Sequence, residues 1–173
     1  MKTLFEERHV KPKTGRALIV GSMAVNGRPD RRKMYENVVG VDMRHGPGVD
    51  TVMNFEEEEC LSLGTFDHIE CLSVMEHSKR PWLMAANIEK ALKPSGTLHV
   101  EVPFNWWQHN YPDDYFRVTT SGLKVLFSEI DWVAVLYSGC GLLAERSKDL
   151  PNRKIDGHRF YGQSMTCGFG VKR

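Results

Sequence analysis

Short apolar runs, each closed by a glycine, an acid or a proline, recur along this chain and constrain its fold more than any other feature. Residues 16–21 (RALIVG) and 38–42 (VVGVD) hold no polar/apolar alternation. A strand wetted on one side alternates, so these runs fit strands covered on both faces, as in a parallel sheet. Residues 66–74 (FDHIECLSV), 97–102 (TLHVEV, ended by Pro103) and 132–137 (WVAVLY) are further strands, and 50–54 (DTVMN) is a weaker one. Between them, 81–92 (PWLMAANIEKAL) sets Leu83, Ala86, Ile88 and Ala91 on overlapping helical faces behind a first-turn proline. Residues 119–128 (TTSGLKVLFS) open on a hydroxyl cap and carry Leu123, Leu126 and Phe127 inward, a second helix. The acidic stretch 56–59 opens a helix or a solvated turn. Strands alternating with helices predict an α/β fold, a Rossmann-like, mostly parallel open sheet with helices on both faces. Residues 160–171 form a last strand with no helix before it, which predicts a C-terminal antiparallel hairpin with a long loop over 139–158.

Glycine and proline are spread along the 173 residues and no repeat appears, so the expected organisation is one domain over 1–173. Lys and Arg number 23 against 22 Asp and Glu, a net charge of +1, which disfavours a nucleic-acid partner held by charge. The cysteines at 60, 71, 140 and 167 make no C-x-x-C pair and suit a reducing, cytoplasmic location. No window approaches the roughly 18 apolar residues of a membrane span, and the first residues carry scattered charge, unlike a signal peptide.

In an open α/β sheet the ligand lies beyond the carboxyl ends of the strands, where strand order reverses. After the first strand comes a turn with Gly21, Ser22 and Asn26, which is neither G-x-G-x-x-G nor a Walker loop. Asp42 ends the second strand at the distance from Gly21 that suits ribose recognition. Asn54 and Phe55, after the third, offer an adenine a polar edge and an apolar face. Residues 103–118, containing Trp106, His109, Asp113, Asp114, Tyr115 and Arg117, place aromatics, acids and a base on the same edge. Trp106, Tyr115 and Arg117 are candidate acceptor contacts, and His109, Asp113 and His77 are candidate proton-handling groups. No H-x₃-H or C-x-x-C spacing accompanies them, so no metal site is expected, and no G-x-S-x-G elbow marks covalent catalysis.

Phe66-Asp67, Val74-Met75-Glu76-His77 and Leu92-Lys93-Pro94-Ser95-Gly96 follow one another in a specific order. In this the chain resembles the class I S-adenosylmethionine-dependent methyltransferases, over nearly its whole length. The resemblance implies S-adenosylmethionine as cofactor, with Gly21 and Ser22 near its amino-acid end, Asp42 on the ribose, Asn54 and Phe55 near the adenine, and Cys71 and Leu72 along its middle. It also implies in-line methyl transfer to an unidentified acceptor. The first loop departs from the family's acid-x-Gly-x-Gly-x-Gly: Ile19-Val20-Gly21-Ser22-Met23-Ala24-Val25 keeps one glycine and lacks the acid. A module with the fold but not the activity, and a nicotinamide-dependent oxidoreductase, are the alternative expectations.

Overall fold

A computed structural model of the chain describes residues 13–25, 30–110, 112–139, 154–155, 158–159 and 164–173. The first apolar runs form β1 (Lys13–Val20) and β2 (Tyr35–Asp42), parallel, with Leu18 opposite Val39 and Val20 opposite Val41. A two-residue strand, β3 (Thr51–Val52), extends that side, while β4 (Phe66–Leu72) and β5 (Leu92–Asn105) extend the other, all parallel. The chain closes through β6 (Ile130–Gly139), the two-residue pair β7 (Lys154–Ile155) and β8 (His158–Arg159), and β9 (Ser164–Lys172). Strand β9 inserts between β5 and β6, antiparallel to both, giving the order β3-β2-β1-β4-β5-β9-β6. Strand order therefore reverses between β1 and β4, the place where such sheets bind ligands.

The sequence-level elements are recovered with shifted ends. The expected strand over 66–74 stops at Leu72 because Ser73 takes φ +54°, a left-handed conformation no strand accommodates. Residues 93–96 form an irregular step within β5, where pairing with β4 jumps from Leu92 to Thr97. Pro103 does not end that strand, which runs on to Asn105. Most of the predicted 139–158 loop, together with Asn26, lies outside the described residues. Among the described residues, no helix is long and apolar enough to cross a membrane.

Helix α1 (Pro81–Ala91) starts on its proline, whose missing N–H would have had no intrahelical partner. Helix α2 (Thr120–Leu126) is capped by Thr119 Oγ1, which accepts the Gly122 N–H at 2.9 Å. Met84, Ala85, Ile88 and Ala91 of α1, with Leu123 and Phe127 at α2, join Leu18, Ile69, Leu98 and Val100 in one core. Register places those four strand residues on the same sheet face, since Leu18 pairs with Ile69 and Ile69 with Leu98. Gly168 in β9 makes this packing possible: a Cβ there would lie 2.5 Å from the Trp132 ring and 2.8 Å from Leu123.

The opposite face carries charged side chains. Between β1 and β2 the described residues hold one 3₁₀ turn, Arg31–Met34. From that turn Arg31 reaches across β1 to Glu70, with Nε and Nη2 each 2.5 Å from a carboxylate oxygen. His99 lies beside them, Nδ1 3.4 Å from Glu70 and Nε2 3.3 Å from Glu101. Glu70 and His99 are 1% and 2% exposed, so among the described residues this face carries a buried ionic row.

Candidate functional site

Beyond the tips of β1 and β2 the chain folds back tightly. Gly21 and Ser22 both donate N–H to the Val41 carbonyl, at 2.8 and 3.0 Å, and Ala24 donates to Pro47. Gly21 takes φ +73°, and a Cβ on it would sit 2.2 Å from a Val74 methyl. Its lack of a side chain thus lets the first loop touch the turn after β4, joining two parts of the edge. The amides of Gly21 and Ser22, expected at a ligand's amino-acid end, are spent on the protein's own backbone.

Asp42 stands at the tip of β2, partly buried, and accepts N–H bonds from Met23 and Arg44, both long at 3.3 Å. Next along the chain opens a cleft of about 260 Å³ lined by Met43, Val52, Met53, Asn54, Glu57 and Glu59, with Asp42 behind Met43 and Val52 and not itself in the lining. The expected Asn54 belongs to this lining, and its Oδ1 accepts the Glu56 N–H at 3.0 Å, which orients the amide. Met43, Val52, Met53, Glu57 and Glu59 were missed in the sequence. Only their position after strand ends marks them, and Met43 directly follows the Asp42 that was singled out.

Phe55 and Cys71 are placed elsewhere. Phe55 is 2% exposed in the core, its carbonyl accepting Asn87 Nδ2 at 3.1 Å, and Cys71 is fully buried on the helix-covered face. Burial pushes the Cys71 thiol far up, so it is neutral and inert. Leu72, one residue on, is partly exposed at the end of β4.

After β4 a 3₁₀ turn, Met75–His77, brings a second group together. Glu76 is buried, with Oε1 3.8 Å from His77 Nε2. His77 Nδ1 lies 2.5 Å from the Asp113 carbonyl, which can only accept, so Nδ1 carries a proton and donates it. The His109 ring stands edge-on to His77, with centroids 5.0 Å apart. Asp114 fixes it: Oδ2 accepts the His109 N–H at 2.9 Å and lies 3.0 Å from Nδ1. Glu76, His77 and His109 each turn a ligating atom within 4.8 Å of the others. His77 is thus brought against His109 and Asp113 of the loop after β5, with Glu76 beside them.

The surrounding loop is built for rigidity. Arg117 grips Asp114 through both Nη atoms, the Nη2 bond being 2.6 Å, and donates to the carbonyls of Phe116 and Trp107. Its guanidinium holds the Asp114 carboxyl down to about 2 against a smaller burial effect, so Asp114 is an anion throughout the physiological range. Arg117 is therefore occupied inside the loop instead of facing an acceptor. Tyr115 is exposed, its hydroxyl donating to Asp113 Oδ2 at 2.9 Å while its N–H donates to the Glu76 carbonyl. Trp106 is partly exposed and stacks obliquely on Trp107. Glu56 accepts Ser78 Oγ, the Lys79 N–H and Arg80 Nε at 2.9 to 3.0 Å, pinning the segment between the turn and α1.

No protein-family model matches the chain, and no curated protein matches it. Solved structures do. One, in a complex between the Haloferax volcanii Trm112 methyltransferase activator and a putative methyltransferase, aligns at a TM-score of 0.64 and 14% identity over 96% of this chain and 86% of that one. The 1,6-didemethyltoxoflavin N1-methyltransferase of Burkholderia thailandensis, solved with its substrate and S-adenosylhomocysteine, aligns at 0.61 and 15% identity over 94% and 72%. The [4+2]-cyclase SpnF aligns at 0.63 and 14% identity over 98% and 79%. The chain has the fold of the class I S-adenosylmethionine-dependent methyltransferases, a fold that in SpnF accompanies a different chemistry.

Proposed function

We propose that the chain binds S-adenosylmethionine at the tips of β1, β2 and β4 and transfers its methyl group to an acceptor held by the loop over 103–118. One observation carries the reading: the cleft lined by Met43, Val52, Met53 and Asn54 opens at the tip of β2, where Asp42 precedes Met43 and pairs with Val52. Through the Gly21–Val74 contact that edge continues into Glu76, His77 and His109. The donor set fits an adenosyl group. Thioether and aliphatic walls suit a purine face, the Asn54 amide suits its polar edge, and Asp42 retains lone pairs for two sugar hydroxyls because each carboxylate oxygen accepts a single backbone N–H.

The cofactor, when bound, supplies a methyl carbon on a sulfonium whose leaving thioether is neutral. The protein's contribution is therefore position and dryness more than acid–base strength. Asp42 and Asn54 fix the adenosyl end. Tyr115 and Trp106 border the acceptor side, and His77, whose Nδ1 is taken by the Asp113 carbonyl, presents Nε2 for a hydrogen bond with the acceptor. Asp114 and Arg117 act through His109, holding its ring in place.

Calorimetric titration with S-adenosylhomocysteine tests this. One saturable site is expected, weakened by about 1–3 kcal/mol in Asp42→Ala through loss of a charged hydrogen-bond acceptor. Absence of binding to the folded wild-type chain removes the proposal. A second reading, a module that grips an adenosine-type ligand without transfer, is favoured by the Gly21 and Ser22 amides being spent on Val41. Under it, adenosine binds as tightly as S-adenosylhomocysteine; under methyl transfer, the full cofactor skeleton binds more tightly.

A further inference from the structure

The geometry points to a divalent transition-metal site formed by Glu76, His77 and His109. Three ligand atoms, one carboxylate oxygen and two imidazole nitrogens, lie within 4.8 Å of one another, and His77 Nε2 is 3.8 Å from Glu76 Oε1. Around an ion with bonds of about 2.0–2.1 Å, tetrahedral ligands stand roughly 3.3 Å apart, so closing the set takes side-chain movements of about an ångström. The outer partners are those that metal-binding histidines use. His77 gives its Nδ1 proton to a backbone carbonyl, and the His109 backbone N–H is held by the Asp114 carboxylate that Arg117 anchors in turn, with the ring Nδ1 3.0 Å from that carboxylate but not hydrogen-bonded to it. The His77 ring is thereby set in orientation with Nε2 left for a ligand, and the buried His109 Nδ1 has no hydrogen-bond partner among the described residues.

Chemistry selects the ion. Two imidazoles with one carboxylate suit Zn²⁺, Co²⁺ or Fe²⁺, whereas Mg²⁺ and Ca²⁺ prefer all-oxygen shells. Three protein ligands leave a further position open, the pattern of a metal that meets a substrate instead of one that only staples the fold. Spacing rules missed the set because Glu76 and His77 are adjacent and His109 arrives from the loop after β5. The inference concerns these three side chains alone and does not depend on methyl transfer.

The test uses the full chain, stripped with a chelator and desalted, titrated with Zn²⁺ by calorimetry and with Co²⁺ by visible absorption. One saturable site per chain is expected, with a Co²⁺ spectrum of nitrogen and oxygen ligation. His77→Ala and His109→Ala should each weaken binding at least tenfold, and Asp114→Asn by about 10–100-fold. His45→Ala, at an exposed position remote from the cluster, should bind as the wild type does. Melting curves establish that each variant is folded, and His109→Gln replaces His109→Ala if the latter is not. Absence of saturable binding in the wild type overturns the proposal. So does wild-type affinity in folded His77→Ala/His109→Ala, or a thiolate charge-transfer band that assigns the ion to cysteine.

Discussion

Arg31→Ala removes the cation that faces the buried Glu70. The wild-type carboxylate is 1% exposed and held by two hydrogen bonds of 2.5 Å from one guanidinium, with His99 at 3.4 Å as its second partner. Burial acts to raise the Glu70 pKa, but the Arg31 hydrogen bonds and then His99 outweigh it and bring it from 4.5 to about 2. At 1.36 kcal/mol per pH unit, that depression corresponds to about 3 kcal/mol of stability. Its sign follows from the lowered value: the contribution is complete above pH 4.5 and is lost as pH falls toward 2. Deleting one partner of a buried pair costs about 3–5 kcal/mol, so Arg31→Ala should destabilise the chain by about 3 kcal/mol at pH 6. The gap to wild type should narrow by about 2 kcal/mol at pH 3, where unfolded Glu70 is protonated in both chains. Urea unfolding followed by circular dichroism at the two pH values measures it. A gap below 1 kcal/mol at pH 6, or one of equal size at pH 3, refutes the buried-pair reasoning.

On the alkaline side the same row gives the opposite slope. Burial lowers the His99 pKa, but Glu101 and Glu70 overcome this and raise it above 6.5. Its stabilising contribution is thus full below pH 6.5 and lost as pH rises through the higher folded value, a loss that Glu101→Gln should diminish in urea titrations between pH 6 and 9. Gly21→Ala forces a side chain into a left-handed backbone and onto Val74, and should lower stability by about 1–3 kcal/mol by thermal unfolding. Glu56→Ala deprives Ser78, Lys79 and Arg80 of their shared acceptor. A destabilisation of about 1–3 kcal/mol is expected, together with weaker Zn²⁺ binding, since Ser78 directly follows the Met75–His77 turn.

The parallel strands were legible because burial on both faces writes unbroken apolar runs, as in RALIVG and VVGVD, and their glycine and acid terminators mark the ligand edge. The helix over 81–92 was legible from its proline and periodicity. Less so was the sheet's second face: Arg31, Glu70 and His99 read in sequence as surface charges and become a buried row only through pairing across β1, β4 and β5. The site was legible in part. Asp42, Asn54, His77 and His109 were visible as polar residues after strand ends. Phe55 and Cys71 follow or end strands too, yet face the core, because a strand's side-chain direction depends on register that single-sequence periodicity over a few residues does not fix. Arg117 was taken for an acceptor contact because its tie to Asp114, three residues before it, is a feature of loop conformation and not of composition.

A crystal structure of the chain grown with S-adenosylhomocysteine addresses the central proposal most directly. Adenine density between Met43, Met53 and Asn54, with both ribose hydroxyls on the Asp42 carboxylate, is the expected result. Density for the ligand away from the β2 tip, or an Asp42 still bonded only to Met23 and Arg44 in a ligand-bound chain, would contradict it.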